Sequence, residues 1–165
     1  MRIKVFLWLA FFAIFLIPAP AADQKGFGGK WVLDEKNSSA DPMLHNLEQE
    51  IKENGNQLKI RSTWRELKTG IAPVLYLGIM HTDLTMANDG SETVNHVGPY
   101  EHRGKTVLEG NRLVTDWIAG MKDSQPVTGQ WQRELSPDGK QMTLHIKTSI
   151  NDGRSNQATL VFKRK

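Results

Sequence analysis

Cysteine is absent from all 165 residues. That removes thiol nucleophiles, thiolate metal ligands and disulfide staples together, so stability has to come from buried apolar area. A chain of this length can supply it without cross-links. Basic runs are missing too: no Lys/Arg-rich stretch occurs, which makes nucleic acid a poor partner. The sequence holds no Gly-x-Gly-x-x-Gly, no P-loop, no Gly-x-Ser-x-Gly elbow and no His-Glu-x-x-His. Nucleotide cradling, serine acyl transfer and zinc-protease chemistry are therefore left without their frames. After residue 17 no second long unbroken apolar run follows, so residues 22–165 contain no candidate transmembrane segment.

What is present begins with a segment read as separate from the fold. Arg2 and Lys4 precede an unbroken apolar run at residues 5–17, Pro18 breaks it, and Ala19-Pro20-Ala21 puts small residues where a signal peptidase reads. A membrane span takes about 20 apolar residues, and this run is shorter; its charge, apolar core and small-residue order is that of a secretory signal. The expectation is a signal peptide at residues 1–21 and one exported domain at residues 22–165, periplasmic or secreted. Cleavage after Ala22 is the near alternative. Of the formal net charge of +3, Arg2 and Lys4 contribute two, leaving +1 on residues 22–165. The sequence pI of about 9.2 thus overstates how basic the working chain is.

The dominant rhythm of that domain is two-residue alternation broken by turn signals. Leu58, Ile60, Ser62 and Trp64 alternate with Lys59, Arg61, Thr63 and Arg65, a half-buried strand. Residues 92–97 and 100–109 read as weaker strands around Gly98-Pro99. Trp131, Arg133 and Leu135 share one parity against Gln130, Gln132 and Glu134, and Met142, Leu144 and Ile146 alternate with Thr143, His145 and Lys147. Asn54-Gly55, Asn88-Asp89-Gly90, Gly110-Asn111, Ser136-Pro137-Asp138-Gly139 and Asn151-Asp152-Gly153 are turn signals. Residues 74–86 are apolar on both parities at first, so no face is assigned there. Residues 42–53 fit both a helical and a strand period, and a short helical turn followed by strand is expected. Short hairpins of this kind predict an all-β, antiparallel up-and-down sandwich or barrel of about 8–10 strands.

Three segments carry a family resemblance. Gly29-Lys30-Trp31-Val32-Leu33 near the start of the domain, Arg133-Glu134-Leu135-Ser136-Pro137-Asp138-Gly139-Lys140, and Val161-Phe162-Lys163-Arg164 together resemble small secreted bacterial lipocalin-like proteins of the calycin type. Gly29-Lys30-Trp31 looks like the Gly-x-Trp of those barrels. The resemblance spans nearly the whole domain and implies a lipocalin-like barrel, with Trp31 lying under a cationic side chain from the last strand. Arg164, on the parity of Leu160 and Phe162, is the expected cation, with Lys163 as the fallback. Most such proteins have no established function, and fold alone does not assign one.

The candidate ligand-binding residues are Trp64, Tyr76, Trp117, Trp131 and Arg133. The three tryptophans lie on the apolar parity of strands, where they serve equally as core or as ligand wall. Arg133 breaks its pattern by standing where an aliphatic side chain is expected. Three explanations stand for it: reaching solvent at a barrel end, pairing with an acid such as Asp116, or receiving a ligand carboxylate. The histidines, His45, His81, His96, His102 and His145, show no ligand spacing and read as surface or loop residues, so no metal, catalytic residue or cofactor is implied. The reading is a barrel that binds a small apolar or amphipathic ligand. A non-binding module with a filled barrel is the rival, and an enzyme using the pocket comes third.

Overall fold

In the computed structural model, residues 26–39, 46–63, 83–97, 100–120, 125–150 and 153–165 are described. The alternating segments form ten strands: β1 Gly29–Leu33, β2 Glu48–Asn54, β3 Gln57–Thr63, β4 Leu84–Ala87, β5 Asp89–Val97, β6 Tyr100–Glu109, β7 Arg112–Gly120, β8 Val127–Leu135, β9 Gln141–Ile150 and β10 Ser155–Arg164. They make one antiparallel sheet in the order β4-β3-β2-β1-β10-β9-β8-β7-β6-β5. Each strand follows its chain neighbour, and the first closes on the last. This is the expected up-and-down barrel, with ten strands.

Residues 48–54 are strand, as expected of the second half of residues 42–53, with Gln49 and Ile51 turned inward opposite Trp31 and Gly29. The helical turn expected before it lies largely outside the described residues, and a 3-10 turn occupies Glu35–Asn37 further upstream. One turn expectation shifts. Asn88-Asp89-Gly90 does not form a separate two-residue turn. Asn88 alone links β4 to β5, and Gly90 sits where the register of β5 against β6 shifts, as a bulge does.

Closure at the β1–β10 joint explains the Gly-x-Trp motif. Trp31 pairs with Arg164 across the two strands, and the Arg164 guanidinium carbon lies 4.3 Å from the Trp31 ring centroid. The same guanidinium donates to the carbonyls of Gly26, Gly28 and Gly139, and the Trp31 indole N–H donates to Phe27 O at 2.8 Å. Gly29 has φ +135°, a conformation that favours glycine, and a Cβ there would also crowd Arg164 Nη1 at 2.9 Å. Arg164 therefore ties the lead-in segment and the β8–β9 turn to one end of the barrel. Lys163 points outward, to Asp34 at 2.7 Å.

The joint between β4 and β5 is made differently. The Thr85 N–H donates to Asn95 Oδ1 at 2.7 Å, and Asn95 Nδ2 donates to Thr85 O at 2.9 Å. One side-chain amide thus stands in for a backbone rung between the two edge strands, satisfying groups that would otherwise be open to pairing.

Candidate functional site

The inner face of β6–β9 sets polar residues among the apolar ones of the core. β6 turns His102, Gly104 and Thr106 inward and Arg103, Lys105 and Val107 outward. The register sets inward residues of neighbouring strands in rows. One row holds Gly104, Trp117, Gly129 and Thr148, the next Thr106, Thr115, Trp131 and Ile146, and a third Leu113, Arg133, Leu144 and Leu160. Arg133 thus stands among leucines.

The glycines make room for the rings. Trp117 lies between Gly104 and Gly129, and a Cβ on Gly129 would collide with Cζ2 and Cε2 of that indole and with Lys147 O. Relieved of that Cβ, Trp117 packs 5.3 Å from Trp131, centroid to centroid. His102 stacks on both, 5.0 Å from Trp131 and 5.3 Å from Trp117. The Arg133 guanidinium carbon lies 5.7 Å from the Trp131 ring, so one indole touches both the guanidinium and the imidazole.

Several polar atoms of this group have no hydrogen-bond partner among the described residues. All three Arg133 nitrogens, both His102 nitrogens, the indole nitrogens of Trp117 and Trp131, Thr148 Oγ1 and Gln49 Oε1 are buried and unpaired. Gln49 does use its amide nitrogen, donating to Ser62 Oγ at 3.0 Å, and Thr106 and Thr115 pair their hydroxyls at 2.9 Å. Buried polar groups are nearly always satisfied by protein or by ordered water, so the concentration of unpaired ones inside this core makes it the candidate site. Burial pulls the Arg133 guanidinium down to about 10, which leaves it charged at neutral pH. Burial likewise pulls His102 from its ordinary 6.5 to about 4, so it is neutral there, one ring nitrogen a donor and the other an acceptor.

The structure brings Trp117, Trp131 and Arg133 together and corrects three readings. Arg133 does not reach solvent: its exposure is 0 %, because its row lies inside that of Leu135 and Met142. Asp116 is not its partner either, since Asp116 faces outward and accepts from Gln130 Nε2 at 2.9 Å. His102 is no surface or loop histidine but part of the core. Its parity with Gly104 and Thr106 was the available signal, obscured because β6 has no aliphatic residue at those three inward positions to identify the face. His96 and His145 are exposed. Trp64, Tyr76, His45 and His81 lie outside the described residues. Among the described residues, no three His, Asp or Glu side chains converge as metal ligands. A cleft of about 250 Å³ indents the end where Arg164 closes the barrel; Phe27, Glu53, Leu108 and Leu135 are among its lining residues. Neither tryptophan nor Arg133 lines it.

No family model and no curated protein matches the sequence. Solved structures do match in shape. Zebrafish ileal bile acid-binding protein, crystallised with cholic acid, superposes with a TM-score of 0.53 at 17% identity, over 84% of this chain and 98% of that one. A secretory abundant heat soluble protein from Ramazzottius varieornatus gives 0.52 at 10% identity, over 87% and 100%. At such identities the likeness is one of fold: the chain shares the barrel architecture of these two structures, with an arginine that has no hydrogen-bond partner among the described residues and three stacked rings inside.

Proposed function

We infer that the barrel binds an amphipathic acid, its anionic head on Arg133 and its apolar body against Trp117 and Trp131, with Trp64 and Tyr76 as further wall residues. One observation carries this reading: a fully buried guanidinium has no hydrogen-bond partner among the described residues. An isolated buried charge is expensive, and a carboxylate taken in bidentate fashion is the group that best offsets it. The bile acid-binding protein of the same fold holds cholic acid, itself an amphipathic acid. The barrel is further read as an exported one, in keeping with the lipocalin-like resemblance of its motifs.

Titration with fatty and aromatic acids is expected to change tryptophan fluorescence saturably. Arg133→Leu should weaken carboxylates about tenfold or more, the value of a hydrogen bond to a charged group, and weaken neutral analogues far less. Equal loss for both would remove the anion role. No saturable binding by any apolar probe would favour the packed, non-binding module. Export has its own test. Intact mass of the protein from the exported fraction is expected to show a chain beginning at Ala22 or Asp23, and recovery of the full-length chain from membranes would overturn it.

A further inference from the structure

We propose that the occupant is not a plain fatty acid but an acid bearing a second oxygen function, a hydroxyl or a carbonyl, which is read by His102 and the two indole N–H groups. This rests on the amphipathic-acid reading and goes a step beyond it. A carboxylate satisfies Arg133 and nothing else in the string. His102, Trp117 and Trp131 would still present unpaired nitrogens, all buried to 4 % exposure or less.

The arrangement of those nitrogens sets the chemistry they accept. Each indole offers a donor only, while neutral His102 offers one donor and one acceptor. A hydroxyl, which donates once and accepts twice, pairs three of those four functions; a methylene pairs none, at a cost. Position is constrained as well. Trp131 contacts the guanidinium at 5.7 Å and the imidazole at 5.0 Å, so the second oxygen lies no farther from the carboxylate than those two contacts allow. That places it near mid-chain of a medium-length acid, not at its far end. Discrimination of this kind is large for sites built from buried polar groups, because the analogue lacking the oxygen leaves those groups unpaired.

The test uses the domain with laurate, laurate hydroxylated at mid-chain, and the neutral alcohol dodecanol. The hydroxylated acid is expected to bind about tenfold more tightly than laurate, the equivalent of one buried hydrogen bond. His102→Phe keeps a ring in the stack and should bring the two acids to equal affinity. If that variant fails to fold, the wild-type protein still decides: the Trp117 and Trp131 indole N–H resonances should move farther downfield with the hydroxylated acid, which accepts from them, than with laurate, which only packs on the rings. Equal affinity for the two acids, or equal indole shifts with both, would overturn the second contact while leaving the acid-binding reading intact. Failure of both acids to bind would instead overturn the reading on which this proposal rests.

Discussion

Arg133→Leu is expected to make the ligand-free barrel more stable, by about 1–4 kcal/mol, while weakening its hold on acids. The sign follows from where the side chain stands. Leu113, Leu144 and Leu160 share its row, so a leucine completes an aliphatic layer already in place. The guanidinium contributes an uncompensated charge in that layer, and replacing buried ionic groups by packed apolar ones commonly stabilises by this amount. Urea denaturation at neutral pH reads the effect as a higher midpoint at unchanged slope. A saturating acid should narrow the difference, because it stabilises only the protein that binds it. Loss of stability in the variant would mean that the folded protein already compensates the charge, and would remove the case for an anionic occupant.

Trp31→Ala is expected to cost about 3–5 kcal/mol, as for a large aromatic removed from a well-packed core. Trp31 is fully buried, and its ring supports the Arg164 guanidinium at 4.3 Å, a contact worth about 0.5–2 kcal/mol in itself. Truncation also strands the Phe27 carbonyl that the indole N–H occupies. Arg164→Met separates the two contributions. It retains apolar bulk over the ring but cannot donate to the three carbonyls that hold the barrel end. Thermal unfolding should place it between wild type and Trp31→Ala. A loss in Trp31→Ala no larger than that of an exposed aromatic would remove Trp31 from the core of the closure.

The barrel was legible in the sequence because its strands alternate cleanly at residues 127–135 and 141–149, and because turn signals punctuate them. The Trp31–Arg164 contact was legible from the resemblance of the two terminal motifs. The site was legible only in part. Parity places Trp131 and Arg133 on one face, but it carries no information about depth, and whether Arg133 reached water depended on rows supplied by β7, β9 and β10. His102 was hidden for a related reason. The inward face of β6 is His102-x-Gly-x-Thr106, so hydrophobic alternation, which identifies an inner face by its aliphatic residues, has nothing to detect there. Residues that make a site are chosen against the pattern that reveals a core.

Nine of the strand joints are ladders of peptide groups, and every amino acid but proline carries both halves of such a rung. Those joints are indifferent to most mutations. The joint between β4 and β5 is different, because the carboxamide of Asn95 makes both of its bonds to Thr85. There the hydrogen bonds described between the two edge strands rest on one side chain. A lineage of such barrels can therefore vary most side chains along its peptide ladders and keep every rung, while at this seam the loss of one carboxamide removes both bonds at once.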